Sequence, residues 1–488
     1  MSVDSDAVGR TRCAHIAVTV AFVMGSFCEI HRAEAQPPSN PRFNEPWVDT
    51  NSTAIGPGLG AEIPPPISDD TDLWLLSDYE LQTHHAKTRH GKSDRYRATF
   101  SNPAFHVGGW LQQGLTANYK DPRDRSNGTV LFNNRANDYQ LNQFYLYAAK
   151  DVRTDQWDWG GRVDVTLGSD SKYVTVPGLE EHQDRSAKWN SDGAQYGLAL
   201  PQAYFEIGSP LGPYGSSLRV GHFYALGGYE TFAAPDNFFY SHSYTYTYGE
   251  PFTFSGAMWT GKVSETAALG VAATTGWDSF ASDLDEWGLR VGLMKKSLDG
   301  RTTLALTGHT GKDFTGITTA AGQMSDPRHW ASLVLKHYLT PSLYYVFQSD
   351  YGYQENAVVQ LDVAMNTVGF DAGQWWGINQ YLVYQYNEQW SAGLRLEWFR
   401  DQGNSRVSVP VEYQPGGPVF NGGDYYALTA GLNWKPHSNV ILRSELRWDF
   451  SNVESNPNVP GGVTGVRPFN DRQDDNQLTL AIDAIFLF

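Results

Sequence analysis

The feature that most restricts the fold of this chain is a parity rule in the connections between its β-like segments. From Val107 to Phe488, apolar and polar residues alternate with period 2, the mark of strands with two unlike faces. Trp157–Gly168 places Trp157, Trp159, Val163, Val165 and Leu167 on one face and Asp158, Arg162, Asp164 and Thr166 on the other. Trp390–Asp401, Val440–Phe450 and Gln477–Phe488 divide in the same way. About sixteen such segments can be marked, within a range of roughly fourteen to eighteen, most of them near the ~9–11 residues that a tilted membrane strand needs. The connections Asp151–Gln156, Ser209–Ser216, Ser264–Ala267, Leu339–Pro341 and Asn387–Gln389 are short. Between them lie the longer Lys120–Gln140, Ser169–Leu198, Tyr224–Thr253, Gly311–His329 and Gly352–Gln374. A soluble sandwich or propeller has no reason to sort loop length by parity. An outer-membrane barrel does, because its periplasmic turns are short and its external loops long. The pattern predicts an all-β fold: a transmembrane antiparallel β-barrel of about 16 strands over residues 107–488, with both ends on one side.

Composition agrees once it is read through that pattern. Aromatic residues make up 14% of the 488 positions and charged residues only 18%, against the roughly 25% of ordinary globular chains. The net charge of −17 and the absence of a basic run exclude a nucleic-acid binder. Arg10 and Arg12 precede the apolar stretch Ala14–Phe27, and Ala33-Glu34-Ala35 follows, which predicts a secretory signal peptide over residues 1–35. Both cysteines, Cys13 and Cys28, fall inside it. Residues 36–106 are rich in Pro, Ser and Asp with little periodicity, as in a largely disordered periplasmic segment. Its His84, His85 and His90 lack acidic or cysteine partners at ligand spacing, and Asp471, Asp474 and Asp475 lack the Gly and terminal Glu of a calcium loop, so no metal or other cofactor is expected.

In a lipid-facing barrel the apolar face points outward, because a charge at the bilayer midplane costs about 2–4 kcal/mol. The polar face then lines the lumen, which assigns Arg162, Asp164, Tyr204, Glu206, Arg219, Arg290, Arg395, Glu397, Arg443, Glu445 and Arg447 to the pore wall. So many charges predict water in the lumen, which a barrel of this strand number is wide enough to hold. Trp157, Trp287, Trp330, Trp390, Trp398, Trp434 and Trp448 lie near strand ends, where interfacial girdles place such rings. Tyr224–Thr253, the third outer loop, is dense in Tyr and Phe. Folding inward would bury those rings and carry Glu230, Asp236, His242 and Glu250 toward the wall as a constriction; packing at the rim is the alternative.

Several stretches resemble one known family. They are Gly109-Trp110-Leu111-Gln112-Gln113-Gly114, Tyr139-Gln140-Leu141-Asn142-Gln143, Tyr196-Gly197-Leu198-Ala199-Leu200-Pro201-Gln202, Val220-Gly221-His222-Phe223-Tyr224 and Ala234-Pro235-Asp236-Asn237-Phe238-Phe239-Tyr240-Ser241-His242, followed by Gly249-Glu250-Pro251-Phe252-Thr253. In order and spacing the chain from about Val107 to Phe488 is similar to the beta-barrel porin-2 (OmpL-like) outer-membrane proteins of planctomycete-type bacteria. The resemblance implies a porin in the bacterial outer membrane, a water-filled channel for passive diffusion of small hydrophilic solutes and ions. It also implies that Phe488 is the terminal aromatic read by the barrel-insertion machinery, and that outer-membrane lipid is the surrounding partner. A homotrimer is the common assembly of wide porins, and no patch in the sequence marks its interface. A surface adhesin or receptor barrel and an outer-membrane hydrolase are the alternatives; the sequence carries no G-x-S-x-G, H-E-x-x-H or P-loop motif for the latter.

Overall fold

The computed structural model describes residues 105–488 apart from 183, 281–286, 320–321, 362–366, 404, 408–421 and 454–466. The expected leader 1–35, nearly all of the 36–106 segment and its three histidines lie outside the described residues. Sixteen strands follow one another: β1 (Phe105–Asn118), β2 (Asp138–Lys150), β3 (Asp158–Gly168), β4 (Gly197–Ser209), β5 (Ser216–Tyr224), β6 (Thr253–Ser264), β7 (Ala267–Thr274) and β8 (Gly288–Lys296). The second half holds β9 (Thr302–Thr319), β10 (Gly322–Thr340), β11 (Leu343–Leu361), β12 (Thr367–Gln385), β13 (Trp390–Gln402), β14 (Gly423–His437), β15 (Val440–Ser451) and β16 (Asn476–Leu487).

Each strand pairs antiparallel with its chain neighbours, and β1 pairs with β16 from Trp110↔Leu487 to Asn118↔Thr479, which closes the barrel. Gly109 and Phe488 exchange two backbone hydrogen bonds of 2.9 Å at the seam. Closure leaves no free edge strand around the barrel, the arrangement that a lipid environment imposes on backbone hydrogen-bonding groups. The period-2 pattern becomes two surfaces. On β16, Leu480 and Ile482 are 54% and 53% exposed while Thr479 and Ala481, which alternate with them, are 3% and 1% exposed. The exposed phase is the lipid face and the buried phase the interior.

Two sequence expectations change. Trp330 does not join an outer girdle: it is buried in phase with Ser332 and Val334, and its indole N–H donates to Asp350 Oδ2 across 3.0 Å. Trp157, Trp287, Trp434 and Trp448 are exposed, and Trp390 stacks on Trp434 at 5.5 Å. The stretches Gly311–His329 and Gly352–Gln374 are mostly strand, because β9–β12 run for 18 or 19 residues each. At ~3.3 Å per residue such strands outreach an apolar band about 25 Å tall. Beyond the bilayer the outer face need no longer be apolar, so the hydrophobic period disappears although pairing continues.

Candidate functional site: the barrel lumen and its third loop

The connection 225–252 leaves β5 and returns to β6 through a neck closed by Ala225 N–H donating to Phe252 O at 2.9 Å. Between these points it crosses the interior. Pro235 sits in the first positions of a 3-10 turn over Ala234–Asp236, and Thr245–Gly249 forms one π-helical turn. On one side of the barrel, Tyr240 donates its hydroxyl to Asn142 Oδ1 of β2 (2.7 Å), and Gln143 Nε2 donates to Phe232 O (2.8 Å). On the other side the loop meets β13–β15. Arg443 Nη1 donates to Ala234 O and Asn237 O (3.0 and 2.8 Å), and Arg447 Nη1 to His242 O (2.8 Å). Glu445 accepts Tyr240 N–H at 2.9 Å, and Glu397 accepts Tyr244 N–H at 2.8 Å. These bonds satisfy main-chain groups that a buried loop would otherwise leave unpaired.

Glycines of the inner face make room for the aromatic rings. A Cβ on Gly114 would stand 2.7 Å from the Tyr240 ring, one on Gly393 2.5 Å from Phe238, and one on Gly431 2.8 Å from Phe239. The first outer loop, residues 119–137, packs on the third: Tyr248 donates to Thr129 O at 2.7 Å, and the Phe132 and His242 rings lie 4.2 Å apart.

A buried ionic chain fixes this side. Arg395 Nη1 meets Glu230 Oε1 at 2.8 Å and Ser241 O at 2.7 Å, while its Nε lies 2.7 Å from Glu397. Arg447 joins Glu397 (3.3 Å) and Asp449 (2.8 Å), and Arg443 Nε donates to Asp483 at 2.9 Å. Burial alone would raise the Glu230 carboxyl, but the charges of Arg395 and His242 and their hydrogen bonds prevail and hold it at about 2. Each ion therefore has a partner of opposite sign, which is the condition for keeping charge out of water.

The wall formed by β2–β5 is different. Tyr147, Arg162, Tyr204 and Arg219 come from four successive strands and interleave ring with guanidinium. The Arg162 guanidinium lies 4.7 Å from the Tyr147 ring centre, and that of Arg219 4.1 Å from the Tyr204 ring centre. Arg162 is also the register neighbour of Tyr204. The two arginine side chains keep 16% and 22% exposure, against 0% and 1% for Arg395 and Arg447. Asp164, buried beneath, binds Arg162 at 2.7 Å, and Glu206 lies 3.5 Å from Arg219.

The residues assigned to the pore wall thus fall into two sets. Arg162, Tyr204, Glu206 and Arg219 are half-buried with Asp164 fully buried beneath them, whereas Arg395, Glu397, Arg443, Glu445 and Arg447 are sealed beneath the third loop. Arg290 belongs to neither: its guanidinium lies over Phe254 (3.9 Å) and donates to Leu226 O at the loop neck. Within the loop, Glu230 and His242 meet at 3.1 Å, Asp236 is half-buried in the 3-10 turn, and Glu250 stands apart, accepting from Gln348 of β11. Sequence reasoning assigned no docking role to Asn142, Gln143, Tyr381, Gln348 or Asp350, yet all hold the loop or its neck; Tyr381 does so by donating its hydroxyl to Glu230 Oε1 at 2.9 Å. Besides the aromatic density of the loop itself, the signal for this docking was glycine on the polar phase of β1, β13 and β14. In the last outer loop, Asp471 accepts the Arg123 and Asp124 N–H groups, Asp474 faces Lys120 at 3.4 Å and Asp475 faces Arg467 at 3.8 Å.

Residues 104–488 match the family model described as "Putative beta-barrel porin-2, OmpL-like". No curated protein sequence matches the chain. Among solved structures, the outer membrane channel DcaP of Acinetobacter baumannii is similar over 80% of this chain and 100% of its own, with a TM-score of 0.50 and 10% identity. The anion-selective porin of Comamonas acidovorans covers 79% of this chain and 99% of its own (TM-score 0.47, 8% identity). OprB of Pseudomonas putida covers 79% and 94% (TM-score 0.47, 12% identity). The family match spans the whole closed barrel, and the chain belongs to the OmpL-like beta-barrel porin-2 family: it is an outer-membrane porin.

Proposed function

We propose that small hydrophilic solutes and ions diffuse passively along the β2–β5 wall, past Arg162, Tyr204, Glu206 and Arg219, with the 225–252 loop as the constriction opposite them. The observation that carries this reading is the division of the inward charges. Those bonded to the loop are sealed in pairs, and only the Tyr–Arg ladder retains exposed guanidinium on the inner face of those strands. Guanidinium groups stacked on rings stay charged and in place, and because each keeps more exposure than its partner acid, Asp164 or Glu206, the positive end of each pair is turned to whatever passes. The chain's acidity then does not dictate cation preference, and the ladder biases passage toward anionic solutes. A channel, with no catalytic group and no bound cofactor, is the complete activity in this reading.

The same reading assigns residues 1–35 to export, 36–106 to a periplasmic segment, and Phe488 to the insertion signal. The terminal residue's place in the β1–β16 seam supports that last role, because the strand that carries the signal also closes the barrel.

Single-channel recording in planar bilayers tests the proposal. The purified protein should give discrete conductance steps, and Arg162→Glu with Arg219→Glu should move the reversal potential toward cations. Absence of steps would sink the channel reading, and an unmoved reversal potential would put the solute path on another wall.

A further inference from the structure

One buried acidic pair takes no part in the ionic chain of β13–β15. Glu250, at the returning end of the third loop, and Asp350, on β11, both accept from the same amide, Gln348 Nε2; the bond to Asp350 Oδ1 is 2.9 Å. Gln348 Oε1 in turn accepts Tyr229 N–H (3.2 Å) from the departing end of the loop. Asp350 is further held by Trp330 Nε1 (3.0 Å) and Ser332 Oγ (2.9 Å) of β10. The Glu250 carboxylate occupies the space where a Cβ of Gly228 would stand, and Gly228 has φ +78°. Both ends of the neck, Gly228–Tyr229 and Glu250, are thereby fastened to one spot on β11.

The charge balance at this spot is unfavourable to two anions. Among the described residues, the charged and titratable groups facing the pair are Glu230 and Tyr246 of the loop and Arg290 of β8. Arg290 Nη2 is committed to Leu226 O, while its Nη1 has no hydrogen-bond partner. The donors that reach the two carboxyls are neutral: an amide, an indole and a hydroxyl. Two buried carboxyls bridged by one amide disfavour each other's ionisation, so a single negative charge on the pair is favoured over two. Burial, then the Asp350 charge, pushes the Glu250 carboxyl well above the usual range.

We propose that Glu250 and Asp350, bridged by Gln348, are a proton-sharing latch that holds the third loop's neck against β11 and releases it when the shared proton leaves. The loop is docked while the pair carries the proton. A second negative charge sets the carboxylates against each other and offers Glu250 to the unpartnered Nη1 of Arg290, which draws the neck off β11. Because the group's proton affinity is higher in the docked state, docking is favoured at low pH and weakened as pH rises through the titration.

This device rests on the channel reading, and the experiment separates the two. Conductance of the full-length protein in planar bilayers should rise at least about twofold between about pH 5 and about pH 9, the range over which a carboxyl of raised affinity gives up its proton. Asp350→Asn and Glu250→Gln, each nearly isosteric, should remove that rise and keep the low-pH conductance throughout. Steps of unchanged size across the range, or a rise that persists in both variants, would overturn the latch while leaving the channel intact; no steps at any pH would overturn both. The infrared carbonyl band of a protonated carboxyl provides a readout independent of conduction. It should be present in the native protein at neutral pH and weakened in each variant, and its absence from the native protein would also overturn the latch.

Discussion

Two walls of one barrel use arginine in opposite ways. On β13–β15, Arg395, Arg443 and Arg447 each bind loop carbonyls and wall carboxylates at once, and the side chains are closed off from solvent. On β3 and β5, Arg162 and Arg219 lean on tyrosine rings and stay partly exposed. The residue type, the strand phase and the neighbouring acids are similar on both sides. What separates them is whether a backbone segment lies against the guanidinium. A cation with carbonyls in front of it holds structure together; one that keeps part of its surface exposed is, in the proposed reading, the one that acts on solutes.

Arg395→Ala should have the largest effect. It leaves Glu230 and Glu397 as buried anions short of a partner, and such a break costs about 3–5 kcal/mol. Denaturant or heat-modifiability titration should show the loss, and conductance should increase as the loop detaches. A stability change under about 1 kcal/mol would mean that this wall is wet and that the contrast between walls fails.

Gly431→Val comes next. Its side chain would start 2.8 Å from Phe239 and 3.3 Å from Phe238, so the rings must move, at a cost of about 1–3 kcal/mol. The same measurements apply, with the conductance change in the same direction as for Arg395→Ala but smaller. Unchanged stability and conductance would show that the two phenylalanines do not seat the loop.

Arg219→Ala should have the smallest effect on stability, within about 1 kcal/mol, since a partly exposed cation–π contact and a 3.5 Å ion pair are worth little. Its effect belongs instead to the reversal potential, which should shift toward cations. A large loss of stability with no shift would make the ladder a second structural wall.

The Glu230 carboxyl gives the comparison a pH dependence opposite to that of the latch. Held at about 2, it contributes to docking above the ordinary carboxylate range and stops doing so as pH falls toward that value. Loop docking followed by limited proteolysis should therefore survive mild acid and fail only in strong acid. Failure near pH ~4–5, where unperturbed carboxyls titrate, would place Glu230 outside the ionic chain.

Much of the architecture was legible because lipid imposes a rule on every second residue. Leu394, Leu396, Leu446, Leu480 and Ile482 had to lie on one phase, and they do, exposed on the outer face. The rule ends where the bilayer ends, which is why the upper parts of β9–β12 read as loops and form strands. It is also silent inside the barrel. Trp330 looked like a girdle residue because ring and strand end coincided, but its phase was the inner one, and Asp350 there gives the indole its acceptor.

By itself the sequence determined the antiparallel barrel, the number of strands to within two, the inner and outer phases, and the long and short sides. Each follows from local periodicity and turn length, quantities that a stretch of ten or twenty residues expresses alone. Only the tertiary structure decided which inner charges keep some exposure and which are sealed. That depends on pairs such as Glu230 with Arg395 and Glu250 with Asp350, separated by a hundred positions or more and joined solely because one loop crosses the lumen. Periodicity assigns a side chain to a surface, but its ionisation and its exposure are set by what the rest of the chain places against that surface.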